Sequence, residues 1–200
     1  MSAVRIPAGR GESEVVEKRS SFLGVVEAVF SEEEARAVIA EIRKRHRDAR
    51  HNCWCYRLEE GPERYSDDGE PQGTAGIPML EVFRKQEVTN AVCVVTRYFG
   101  GVLLGTGGLL RAYTQAAKEA LDDAGIREVL PRKQFTVRCP YAFVERLKQE
   151  TEAYSGEIVS VVYEAEVLFT VSILEEKAEN YAARIFDVSS GTVVCEGTEE

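Results

Sequence analysis

Between Arg97 and Tyr113 the chain reads RYFGGVLLGTGGLLRAY, which sets Gly100, Gly101, Gly105, Gly107 and Gly108 between an apolar run, Ala91 to Thr96, and an amphipathic run reaching about Leu121. Glycine at that density costs backbone entropy, so the chain needs positive φ angles or very close backbone approach there. A strand that runs through a glycine loop into a helix also aims free backbone N–H groups, and the positive end of the helix dipole, at one spot. That spot suits an anion; the same loop equally suits tight packing of helix on strand.

The rest of the chain is read around this unit. Glu14 to Lys18 and Ser21 to Phe30 are strand-like, rich in Val and Phe. Ser31 opens SEEEA, an N-cap serine with glutamates in the first turn and Glu34 at the capping-box position, so a helix runs from Glu32 to about His46. His51 to Leu58, HNCWCYRL, is a strand with Cys53, Cys55, His51 and Arg57 on one face and Trp54 and Tyr56 on the other. Asn90 to Tyr98 is nearly continuous in Val and is expected to be central and covered on both faces. Gly108 to Ala124 is helical, Gly125 caps it, and Pro131 marks a domain boundary. Beyond it, a strand from Phe135, a helix from Tyr141, strands Glu157 to Tyr163 and Glu166 to Ile173, a helix from Glu175 and a short strand to Cys195 follow the βαββαβ, ferredoxin-like order.

Two segments carry charge that could do chemistry. The end of the first helix, with Arg43, Lys44 and Arg47 and then Arg50, serves a helix dipole but also makes an anion patch. The loop from Tyr65 to Gly76, YSDDGEPQGTAG, places Asp67, Asp68 and Glu70 within four residues, beside Gly69, Pro71, Gly73 and Thr74. Adjacent carboxylates suggest a magnesium site or a general base. They equally suggest turns and a helix start, near Thr74, capped by Asp side chains.

Tests against known motifs remove the sharper readings. A Walker loop needs a lysine, and none lies between Lys85 and Lys118; a dinucleotide fingerprint needs glycine where Leu110 stands. The Cys53-x-Cys55 pair lacks the two-residue turn of zinc knuckles, so buried thiols are expected in place of a metal centre formed with His46 and His51. What remains is a helix N-terminus at Thr106 flanked by Arg97 and Arg111, together with the acidic loop. No catalytic residue, metal or cofactor is assigned.

The net charge of −9 argues against coating nucleic acid by bulk electrostatics. It is unevenly spread: residues 1–131 carry −3 and residues 132–200 carry −6, so an anionic partner would meet the first segment. There is no long apolar run and no secretory signal, and the five cysteines are odd in number and scattered, which implies a cytoplasmic chain with reduced thiols.

Three stretches, KRSSFLGVVEAV with the helix and HNCWCYRL after it, SDDGEPQGTAGIPML, and VVTRYFGGVLLGTGGLLRAYTQAA, together with their spacing, resemble the Impact/YigZ family over nearly the whole chain. The resemblance implies an α+β protein of two domains. Residues 1–131 would form an Impact N-terminal domain similar to the second domain of a small-subunit ribosomal protein, a βαβ arrangement shared with elongation factor G domain IV and the GHMP kinases. Residues 132–200 would form a ferredoxin-like domain similar to elongation factor G domain V. Eukaryotic relatives regulate translation through protein partners. The expected function is therefore a non-catalytic, monomeric, translation-associated protein that binds ribosome or structured RNA through Arg43 to Arg50, Arg97 and Arg111. The alternatives are an enzyme or binder of a phosphorylated small molecule at the glycine and acidic loops, and a protein–protein adaptor. Two positions depart from the family pattern, Leu103 where lysine is usual and Gln72 where serine is usual, and the first removes a cation from the anion site.

Overall fold

The computed structural model describes residues 3–197 and divides into two compact units, Val4–Val129 and the chain from Leu130 onward. In the first, β2 (Gly11–Glu17), β3 (Ser20–Ala28), β4 (His51–Arg57), β5 (Glu63–Ser66) and β6 (Ala91–Tyr98) form one antiparallel sheet in the order β2-β3-β6-β4-β5. The central strand is β6, as its unbroken apolar run demands, because helices cover both of its faces. Ala91, Cys93 and Val95 point to a core shared with α2 (Gly76–Lys85) and α3 (Thr106–Ala124), while Val92 and Val94 point to α1 (Glu32–Arg45).

Sequence chemistry sets these helices. Ser31 Oγ accepts from the Glu34 amide at 3.1 Å, and Glu34 Oε2 accepts from the Phe30 amide at 2.8 Å, closing the start of α1. Ala35, Val38, Ile39 and Ile42 bury its inner stripe. The alanines of α3 (Ala112, Ala116, Ala117, Ala120) let it lie almost on the backbone of β2 and β3, where a Cβ on Gly11 would sit 2.2 Å from Ala120 O. Trp54 and Tyr56 face the α1 side and Cys53 and Cys55 the other, as the strand alternation requires.

Three short strands are invisible to pattern reading: β1 (Val4–Pro7), β5 and β7 (Ile126–Val129), each of four residues without a hydrophobic run. β1 and β7 pair antiparallel as a separate ribbon, Val4 opposite Val129 and Pro7 opposite Ile126. The start of α2 is Gly76, two residues later than Thr74, because the carboxylate of Asp67 caps the turn before it (described below).

The second unit runs β8 (Arg132–Cys139), a 3₁₀ turn (Tyr141–Phe143), α4 (Val144–Ala153), β9 (Glu157–Tyr163), β10 (Val167–Leu174), α5 (Glu175–Val188) and β11 (Cys195–Gly197). Its sheet order, β11-β8-β10-β9, all antiparallel, is the ferredoxin-like arrangement. Phe135, Val137, Phe169, Val171 and Ile173 bury against Leu147, Tyr181 and Ile185. Glu150 accepts from Arg184 at 3.0 and 3.1 Å and pairs with Arg146 at 2.6 Å. The Arg184 hydrogen bonds hold this carboxyl below the usual range. Among the described residues no helix is long and apolar enough to cross a membrane, and all five cysteines are free.

Candidate functional site

The glycine loop and the acidic loop line one groove. A cavity of about 340 Å³ is walled by Gly69, Glu70 and Pro71 on one side and by Leu103, Leu104, Gly105 and Thr106 on the other, with Arg50, His51, Arg97, Phe99 and Leu109 completing it. The sequence reading brought here is thus Arg50, Arg97, Gly105, Thr106, Gly69, Glu70 and Pro71. Arg43, Lys44, Arg47, Asp67, Asp68, Gly73, Thr74, Gly100, Gly101, Gly107, Gly108 and Arg111 stand outside this lining.

The three carboxylates do three different jobs. Asp67 Oδ1 accepts from the amides of Ala75 (3.0 Å) and Gly76 (2.8 Å) and Oδ2 from that of Gly73 (2.8 Å), so it caps α2. Asp68 ties the loop to β4 and α1, its Oδ2 accepting from the Asn52 amide and its Oδ1 from Arg43, both at 2.7 Å. Glu70 is only 8% exposed, and its Oε1 accepts from Arg97 Nη1 at 2.7 Å and from the Tyr113 hydroxyl at 2.8 Å. Each carboxylate holds its own protein donors, so the three do not converge on one ion as a magnesium site would require. Pro71 and Thr74 close the turn between them: Thr74 Oγ1 donates to Pro71 O at 2.6 Å.

Arg97 is therefore a neutralised cation. It is 6% exposed and lies between two rings, its Cζ 5.5 Å from the centroids of both Phe22 and Phe99. Its Nε is buried without a hydrogen-bond partner. Burial pushes the Tyr113 phenol and the Cys53 thiol well above their ordinary ranges, so Tyr113 keeps its proton and its hydroxyl donates a hydrogen bond to Glu70. Cys53 Sγ donates to Asp67 O at 3.0 Å. His51 Nδ1 lies 2.8 Å from Asp68 O, and since a carbonyl only accepts, Nδ1 carries the proton. His46 Nδ1 bonds Tyr98 Oη at 3.0 Å. His46, His51 and Cys53 thus bond to separate partners, and among the described residues no cluster of three or more potential ligands forms.

The glycines sort by cause. Gly100 is a close approach, since a Cβ there would sit 2.0 Å from Arg19 O. Gly101 and Gly105 have φ of +86° and +73°. No side chain caps α3 at Gly105, so its first-turn amides open beside the groove. The rim is apolar: Phe99 is 45% and Leu103 83% exposed. Sequence reasoning placed Leu103 here only as the loss of a lysine and missed Phe99 and Leu104 as wall residues, although an exposed aromatic within a glycine loop was a readable signal. Arg111 is exposed and lies along the first turn, its Nη1 3.6 Å from where a Gly107 Cβ would stand.

The Impact N-terminal domain matches residues 18–121, and a domain of unknown function, DUF1949, matches residues 137–192. The chain is 34% identical over 183 residues to the IMPACT family member YvyE of Bacillus subtilis, covering 90% of this chain and 84% of that protein. It is also 34% identical over 187 residues to the IMPACT family member YigZ of Escherichia coli, covering 92% of each. A crystal structure of a hypothetical protein, 32% identical, superposes with a TM-score of 0.75 and covers 100% of this chain and 99% of that one.

Proposed function

The chain belongs to the Impact family, and on that premise we propose that it is a non-catalytic, translation-associated protein whose first domain binds ribosome or structured RNA. The observation that carries the reading is the groove shared by the two loops, with an exposed ring, Phe99, on its rim and Arg50 in its wall. Among the described residues Lys44, Arg47, Arg50 and Arg111 are exposed and hold no carboxylate, unlike Arg43 and Arg97, so they are cations available to phosphates. Exposed aromatics beside uncompensated cations suit unpaired bases on a phosphate backbone. The link to translation rests on the family.

The test is RNA or ribosome binding across a salt series. Three phosphate contacts should give a slope of log affinity against log salt of roughly −2 to −3. Reversing Lys44, Arg47 and Arg50 to glutamate should flatten that slope and weaken binding more than about tenfold, without loss of fold. No retention of wild-type protein on RNA or ribosomes at low salt would sink the reading. The uncapped first turn of α3 at the groove also supports a second reading, a phosphorylated small molecule held by backbone amides. Thermal shift against nucleotides, with and without magnesium, separates the two.

A further inference from the structure

A second groove lies on the α1 face of the first domain's sheet. Its floor is the stacked pair Trp54 and Tyr56, with ring centroids 5.7 Å apart and planes 6° from parallel. One wall is the face of α1 formed by Arg36, Ile39, Ala40 and Arg43; the other is Arg64 of β5; the space is about 380 Å³. Tyr56 stands opposite Arg64 and Trp54 opposite Ser66 in the β4–β5 register, which puts Arg64 and the aromatic floor on the same side of the sheet.

β5 is the terminal strand. Among the described residues it pairs with β4 alone, so alternate N–H and C=O groups along Glu63–Ser66 face outward as a pairing edge. Most charges around this edge are paired, and Arg64 is not. Glu63 is occupied by Arg57 and Arg84, Arg36 holds Glu32, and Arg43 holds Asp68. Arg64 makes its hydrogen bond only to the backbone oxygen of Glu63, so its charge is uncompensated. The indole Nε1 of Trp54 is buried with no acceptor.

We propose that this groove docks an extended acidic segment of a protein partner, which adds to β5 as a sixth strand and directs an acid-x-apolar-x-acid face at the groove. The strand edge supplies main-chain hydrogen bonds, Trp54 receives the apolar side chain, and the acids meet Arg64 together with Arg36 and Arg43, which would share their guanidinium groups with Glu32 and Asp68. Arg36 and Arg43 are two turns apart, about 10 Å along α1. The two acids of such a segment are about 13 Å apart along a strand, a difference that arginine side chains span. A nucleic-acid strand would use the cations and rings but not the open backbone edge, which is why a peptide is the better fit. The proposal is independent of RNA binding at the glycine-loop groove.

Trp54 is the only tryptophan of the chain, so its fluorescence reports this groove directly. The probe is a blocked peptide containing Glu-Thr-Phe-Thr-Glu, titrated into the full chain. A saturable change in Trp54 emission below about 1 mM is expected. It should weaken at least tenfold when both glutamates become glutamine, or when the peptide is N-methylated at the positions that face β5. Arg64→Glu, at an exposed position bonded only to its neighbour's backbone, should abolish the response while circular dichroism stays unchanged. No response to the acidic peptide, or one that survives Arg64→Glu, overturns the proposal. So does a single-stranded RNA hexamer that moves Trp54 emission more tightly than the peptide with the same Arg64 dependence, since the groove would then belong to nucleic acid.

Discussion

Glu70→Ala should cost the first domain about 3–5 kcal/mol, the range for breaking a buried ion pair from one side. The side chains of Glu70 and Arg97 are 3% and 7% exposed, so truncation leaves a guanidinium in a dry site between Phe22 and Phe99. It also strips the Tyr113 hydroxyl of its acceptor. Urea unfolding followed by Trp54 fluorescence reads this domain alone, because Trp54 lies within it. The double variant Glu70→Gln with Arg97→Met should recover most of the loss, since a neutral pair of similar volume leaves no stranded charge. A loss under about 1 kcal/mol for Glu70→Ala would mean that water reaches the pair, and that the groove floor is not the closed network described above.

Gly100→Ala should be the most damaging change in the glycine loop, at about 3 kcal/mol. The added Cβ would lie 2.0 Å from the carbonyl oxygen and 2.1 Å from the carbonyl carbon of Arg19, both backbone atoms that cannot rotate away. Lys18 and Arg19 already hold φ of +46° and +69° in the β2–β3 turn, and the Gly100 amide donates to Ser20 Oγ at 3.1 Å, so neither segment has room to retreat. Gly107→Ala is the matched control. It lies in the first turn of α3, a Cβ there meets only Arg111 Nη1 at 3.6 Å, and the change should stabilise by about 0.5–1 kcal/mol. Equal losses at Gly100 and Gly107 in the same unfolding measurement would contradict this division.

How far the chain can be read without coordinates follows from what each element depends on. α1 was legible because Ser31, the early glutamates and the apolar spacing agree, and β6 because a strand covered on both faces has no polar side to display. The βαββαβ order of the second unit was legible for the same reason. The four-residue strands β1, β5 and β7 were not, since their partners, and not their composition, make them strands. At the groove, residue types pointed to the right loops but not to the division of labour. An Asp cap on the helix after this loop is readable in SDDGE, but not that Asp67 supplies it while Asp68 turns to Arg43 and Glu70 to Arg97. The pairings of Asp68 and Glu70 join residues 25 and 27 positions apart and depend on the sheet register, which a local reading does not reach. Arg97 likewise reads as a free cation in sequence and is a neutralised one in the fold.

The ribbon of β1 and β7 gives the first domain a single doorway. Val4 and Val129 are direct partners, so the polypeptide enters and leaves the 4–129 unit side by side, with the whole sheet and its three helices threaded between. A module with adjoining entrance and exit is portable: it can be spliced into a surface loop of a host protein, or have its ends joined and reopened elsewhere, without stretching either the ribbon or the sheet.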